Sequence, residues 1–213
     1  MNPRERLSTA RLYLVCDARP RGFLDAALRG GVDVIQLRDK TLGDADLIAA
    51  AAEFRAAAEE HGALFVLNDR PDLVAACDAD GVHVGQHDVP PAAARAAVGP
   101  GRIVGRSTHA PAQADAADAD PDVDYLAVGP VHPTPTKPGR PAAGLEYVAY
   151  AAARLKRPWF AIGGLDASNV HEVAALGAQR IVVVRALTEA ADPEASARAL
   201  RAALEVPVGA AQP

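Results

Sequence analysis

Gly30-Gly-Val-Asp-Val-Ile35 and Leu176-Gly-Ala-Gln-Arg-Ile-Val182 are one phrase written twice, near opposite ends of the chain. In each, glycine follows an alanine-rich helical stretch, where a left-handed residue ends a helix. The phrase then passes at once into a β-branched apolar strand. Read outward, the same alternation fills the chain. Strands are predicted at 11–17, 32–39, 63–69, 81–85, 102–108, 125–131, 159–164 and 180–186. Helices are predicted near 23–29, 44–60, 72–76, 91–97, 111–117, 145–155, 168–176 and 193–204. Asp44 and Ser168 are expected to cap their helices, with Gly30, Gly62 and Gly177 as left-handed stops. Strict alternation of strand and helix implies a parallel sheet with helical crossovers. Eight such units imply a closed α/β barrel, the (β/α)8 TIM barrel, as a single domain over residues 1–213 with a flexible tail from about 206. An open, doubly wound sheet is the alternative, but no G-x-G-x-x-G follows the first strand.

Composition narrows the function. Lys+Arg number 22 against Asp+Glu 27, a formal charge of -5, which offers no electrostatic footprint for nucleic acid or an anionic membrane. Anions must therefore be caught locally. The two cysteines, Cys16 and Cys77, form neither a disulfide framework nor a metal motif and read as small buried hydrophobes. The first residues lead into no apolar signal segment, so a cytoplasmic enzyme is expected. Only three of the basic residues are lysines, Lys40, Lys137 and Lys156, and a lysine kept amid so many arginines suggests a need for a compact ammonium.

Active sites of such barrels lie at the C-terminal strand ends, and those ends are unusually polar here. Period-two alternation in the second strand turns Ile35 and Leu37 outward and places Gln36, Arg38 and Lys40 on the inner face. An amide with two cations suits a diphosphate; the plainer alternative is a solvated strand end. Asp69, after Asn68, and Asp88 follow adjacent strands. Either alone would read as a helix cap, but together, beside phosphate-binding cations, they suggest Mg2+. His87 has no second histidine at zinc-ligand spacing. Ser107 and His109 end the fifth strand, the first suited to hydrogen-bond a substrate and the second to act as acid or base, with helix capping the plainer alternative for both. Four prolines stiffen the loop after the sixth strand around Thr134, Thr136 and Lys137. Gly163-Gly164 follows the seventh strand and Val184-Arg185 ends the eighth, the usual phosphate site of the fold.

Six ordered blocks, Gln-Leu-Arg-Asp-Lys (36–40), Asn68-Asp69, Gly-Val-His-Val-Gly-Gln-His-Asp (81–88), Ser107-Thr-His, Gly-Pro-Val-His-Pro-Thr-Pro-Thr-Lys (129–137) and Ile-Gly-Gly (162–164), resemble the thiamine phosphate synthase family from Leu12 to Ala186. The resemblance implies a transferase that joins 4-amino-2-methyl-5-hydroxymethylpyrimidine diphosphate to a thiazole phosphate, or its carboxylated form, with Mg2+. It implies that the 36–40 run (Gln36, Leu37, Arg38, Asp39 and Lys40), Asn68, Ser107 and Lys137 bind the pyrimidine diphosphate. Asp69 and Asp88 would hold Mg2+, and Thr134, Pro135, Thr136, Gly164, Val184 and Arg185 the thiazole phosphate. Arg38, Lys40, Ser107 and Lys137 would carry the chemistry. The expected partners are these two small molecules, with neither nucleic acid nor membrane, and self-association is left open.

Two positions depart from the family pattern. Arg185 stands where a serine is usual, and Arg106 where a small apolar residue is usual. The rivals are a thiazole tautomerase of similar fold, which would not need the full diphosphate set, and a non-catalytic thiamine-phosphate sensor, which would need an output domain.

Overall fold

A computed structural model describes residues 1–134 and 141–204. Eight parallel strands close into a barrel in sequence order: β1 (Leu12–Cys16), β2 (Val34–Leu37), β3 (Leu64–Asn68), β4 (Gly81–Val84), β5 (Ile103–Thr108), β6 (Tyr125–Val128), β7 (Trp159–Ile162) and β8 (Ile181–Val183). The expected TIM barrel is therefore observed. Helices α2 (Arg21–Arg29), α3 (Asp44–His61), α4 (Pro91–Val98), α5 (Pro111–Ala119), α6 (Gly144–Arg154), α7 (Val170–Ala175), α8 (Arg185–Thr188) and α9 (Pro193–Ala203) follow their strands, and α1 (Pro3–Thr9) precedes β1.

Alternation along each strand divides the apolar side chains into two cores. Tyr13, Val15, Val34, Leu64, Val66, Ile103, Tyr125, Phe160 and Val182 fill the barrel. Their neighbours, such as Leu14, Ile35, Leu37, Phe65 and Leu67, face the helices. Covering on both faces is what lets these strands be apolar throughout. Small side chains on α3, Ala51, Ala57 and Ala58, are fully buried, and Phe54 beside them lies 5.7 Å from the Phe65 ring.

The N-terminal end of the barrel is closed and cross-tied. Leu7 and Ala10 join the interior core, so α1 and the turn after it plug this end. An aspartate stands just before β2, β4 and β6, and each does the same work. Asp33 accepts from the N–H of Leu12, Asp80 from that of Phe65 and Asp124 from that of Val104. Each is also met by arginine: Arg201 for Asp33, Arg55 for Asp80, Arg4 and Arg95 for Asp124. Neighbouring strands are thus pinned in register by a carboxylate that neutralises a helix-borne guanidinium.

Several boundary expectations need correction. Gly43, not Asp44, is the N-cap of α3; Asp44 sits in the first turn and pairs with Arg70 at 2.6 Å. Asn169 occupies the cap of α7, while Ser168 is turned back onto Asp166. Gly62 (φ 68) and Gly177 (φ 96) are left-handed as expected, but Gly31 (φ 104) takes that role in place of Gly30. The helix expected near 72–76 is a single 3₁₀ turn, Pro71–Leu73. Helix α1 was not foreseen, although Asn2-Pro-Arg-Glu5 carries both halves of a capping box with proline at the first helical position.

Candidate active site

The site is built at the C-terminal strand ends. Gln36 lies inside the barrel, 3% exposed, and its Nε2 donates to the Tyr13 hydroxyl at 2.5 Å. β2 ends at Leu37, so Arg38 and Lys40 stand just beyond it on the rim. Arg38 is half-buried, its backbone N–H tied to the Cys16 carbonyl, and its guanidinium makes no hydrogen bond or ion pair among the described residues. Lys40 is exposed, with Nζ 3.4 Å from Asp69 Oδ2. The other two members of the run look elsewhere. Leu37 is buried against the helices. Asp39 accepts from the hydroxyl and N–H of Thr41, bonds that hold its carboxyl below the usual carboxylate range and close its own loop.

Asp69 and Asp88 are brought face to face. Asp69 has a left-handed backbone (φ 57), a conformation aspartate tolerates better than most residues. Asn68 donates to it at 2.7 Å. Burial first, then the facing Asp88 carboxylate, raises the Asp69 carboxyl above its usual range, against the Asn68 bond and Lys40. Asp88 closes a turn by accepting from the Gly85 N–H at 2.9 Å; a Cβ at Gly85 would lie 2.6 Å from that carboxylate and would push the Asp88 side chain aside. Arg106 points out of the barrel and donates to the Gly85 carbonyl at 2.7 Å. This unusual arginine is thus one bond from the turn that carries Asp88. No group of three or more histidine, cysteine or acidic side chains suited to a metal occurs among the described residues. Two facing carboxylates are a donor set that Mg2+ commonly takes together with substrate oxygens.

On the opposite side a cavity of about 250 Å3 runs from Ser107 and Ala127 to Thr134, Gly164, Val184 and Arg185. Gly163 (φ 109) and Gly164 (φ 65) form its floor after β7; a Cβ on Gly163 would lie 2.5 Å from Pro130. Val184 precedes the first turn of α8, where amide groups have no helical partner. Arg185 is exposed at the rim. His109 Nδ1 is 2.6 Å from the Gly129 carbonyl and its N–H donates to Gln113, which ties it to the cavity wall. Pro135, Thr136 and Lys137 lie outside the described residues.

Sequence reasoning missed three buried polar side chains, Tyr13, His83 and Tyr125, which link Gln36 to Ser107 through the barrel. The signal was present: each is an inward position in an otherwise apolar strand, visible had the alternation used for Gln36 been carried to β1, β4 and β6.

Comparison with known proteins shows which family the chain matches. Residues 12–187 match the family model described as thiamine monophosphate synthase. The chain is 55% identical over 204 residues to the thiamine-phosphate synthase of Thermobifida fusca, covering 93% of this chain and 94% of that one. It is 52% identical over 200 residues to that of Streptomyces avermitilis, with 91% and 93% covered. Among solved structures, a thiamine phosphate pyrophosphorylase from Pyrococcus furiosus superposes with a TM-score of 0.85 at 32% identity, covering 96% of this chain and 98% of that one.

Proposed function

This chain belongs to the thiamine monophosphate synthase family, and we propose that its barrel mouth joins a pyrimidinylmethyl diphosphate to a thiazole phosphate. Its activity is that of a thiamine-phosphate synthase, a transferase. The observation that carries the substrate reading is the division of the mouth. Lys40 lies beside the facing Asp69–Asp88 pair and Arg38 follows the end of β2 on the same rim, and the cavity opens to Gly164, Val184 and Arg185 on the β7–β8 side.

Arg38 and Lys40 hold the diphosphate, the first by its guanidinium fork and the second as a compact charge. Asp69 and Asp88 would hold Mg2+, which would supply positive charge to the diphosphate. Loss of diphosphate leaves a pyrimidinylmethyl cation stabilised by the ring amine, and the thiazole nitrogen captures it. Gln36 and Ser107 touch the pyrimidine half, and Lys137 belongs to the diphosphate set. Thr134, Gly164, Val184 and Arg185 line the side that takes the thiazole phosphate, and the family resemblance assigns Pro135 and Thr136, outside the described residues, to the same substrate. The two rings are held face to face, and proximity supplies much of the rate. No side-chain nucleophile is needed. The same reading keeps the enzyme in the cytoplasm with its phosphorylated substrates.

The test is formation of thiamine phosphate by the purified protein from both substrates and Mg2+. Product formation is expected. No product, together with isomerisation of the carboxylated thiazole phosphate alone, would favour the tautomerase. Arg185→Ser is expected to raise the Michaelis constant for the thiazole phosphate about fivefold, the ~1 kcal/mol that an exposed charge pair contributes at most; an unchanged constant makes Arg185 a bystander.

A further inference from the structure

Five polar side chains cross the barrel interior in one unbroken file. Gln36 Nε2 donates to the Tyr13 hydroxyl, and the Tyr13 and Tyr125 hydroxyls lie 3.0 Å apart. The Tyr125 hydroxyl is 3.1 Å from His83 Nδ1, and His83 Nε2 is 2.9 Å from Ser107 Oγ. All five residues are buried, from Tyr125 at 0% exposure to His83 at 8%. Burial also pushes both tyrosines far up from their ordinary pKa. Each phenol therefore keeps one proton to donate.

Counting those protons gives the file a direction. With the Gln36 amide nitrogen donating to Tyr13, the Tyr13 proton goes to Tyr125, and the Tyr125 proton goes to His83 Nδ1. The imidazole proton then sits on Nε2, facing Ser107 Oγ, and the serine proton is left for the cavity that Ser107 lines. The opposite sense makes Tyr13 accept from both neighbours and leaves its own buried proton without an acceptor among the described residues, at a cost of ~1–3 kcal/mol. The sense reverses only if the Gln36 amide turns over as well. Gln36 offering its carbonyl to a ligand and Ser107 offering its proton are therefore one state.

Packing holds the file in place. The Tyr13 and Tyr125 rings pack edge-on against Phe160, at 5.5 and 5.8 Å. A Cβ at Gly105 would lie 2.1 Å from Tyr125 Cζ and 2.5 Å from His83 Nδ1, so the bond between those two rings depends on glycine there.

We propose that His83, with Tyr125 and Tyr13, is a positioning set that holds Gln36 and Ser107 in one donor–acceptor sense, with His83 as the neutral Nε2–H tautomer. It rests on the reading of Gln36 and Ser107 as substrate contacts.

Nitrogen-15 histidine NMR of the resting enzyme at neutral pH tests this directly. His83 is expected with its proton on Nε2 and a bare Nδ1; an Nδ1–H tautomer or an imidazolium overturns the proposal. Tyr125→Phe removes one oxygen from the file. It is expected to lower kcat about 10- to 100-fold, with both Michaelis constants within about threefold, and to give His83 a mixture of tautomers. A kcat within about twofold of the parent would overturn the positioning role. Should that variant fail to fold, His83→Gln, which keeps a donor towards Ser107, is expected to exceed His83→Leu by about tenfold in kcat, and equal rates would count against the proposal. A parent enzyme that forms no thiamine phosphate sinks the functional reading instead, while the tautomer measurement still decides the file.

Discussion

Asp88→Ala is expected to lower Mg2+-stimulated turnover by about 10²- to 10³-fold, the scale on which removal of one preorganised electrostatic element acts. Asp69 would be left with Asn68 at 2.7 Å and Lys40 at 3.4 Å, so the site would lose half its carboxylate charge and most of its attraction for a hard cation. Asp88 has a second task, accepting from the Gly85 N–H within its own turn. Asp88→Asn separates the two, since an amide oxygen can keep that bond while the charge is gone. The same loss of Mg2+-dependent turnover is expected for both variants, read as rate against Mg2+ concentration. Full activity at low Mg2+ in either would remove Asp88 from the metal site.

The other large effect is on stability. Asp124→Ala is expected to destabilise the barrel by about 3 kcal/mol, the cost of stripping one partner from a mostly buried ion pair. Asp124 is the shared acceptor for Arg4, Arg95 and the Val104 N–H, and its side chain is only 12% exposed. Its removal leaves the Arg95 guanidinium without its carboxylate and loosens the hold on α1 at the plugged end. Thermal unfolding should report a Tm lower by roughly 6–12 °C for a domain of this size. A change of under about 2 °C would mean that the carboxylate ties at the barrel base carry little of its stability. The activity of the folded variant should be near that of the parent, because Asp124 lies at the opposite end from the site.

These two aspartates show what sequence reading could and could not reach. Asp88 was legible because strand order in a barrel is fixed: ends of adjacent strands meet, so the strand-end residues at positions 36, 68–69, 88, 107, 164 and 184–185 had to share one rim. Asp124 was not, because its three partners come from α1, α4 and β5, at separations that no local pattern encodes. The same limit applies to Asp44 and Ser168, for which a good capping residue was present but a neighbour took the position: Gly43 and Asn169 hold the caps, while Asp44 pairs with Arg70 and Ser168 with Asp166. Propensity names candidates for a cap; a tertiary ion pair draws Asp44 away from its cap and a local hydrogen bond draws Ser168 away from its own. Arg106 is a further case. Its outward direction was fixed by alternation, yet its bond to Gly85, at the base of the Asp88 turn, follows only from the β4–β5 register that pairs Val84 with Arg106. Asp39 and Leu37 fall in the 36–40 run, but the loop turns the first onto Thr41 and the strand turns the second to the helices. Short motifs mark a place on the chain, and only geometry divides its members into those facing a ligand and those that hold the loop.

One barrel mouth with two separate phosphate sites is what the proposed reaction requires. A crystal structure of the enzyme with Mg2+, diphosphate and thiamine phosphate tests it most directly. Diphosphate and Mg2+ are expected against Arg38, Lys40, Asp69 and Asp88, with the thiamine phosphate ester at Gly164, Val184 and Arg185. Diphosphate bound at the β7–β8 loops, or a metal ion away from both Asp69 and Asp88, would rule out this division of the mouth.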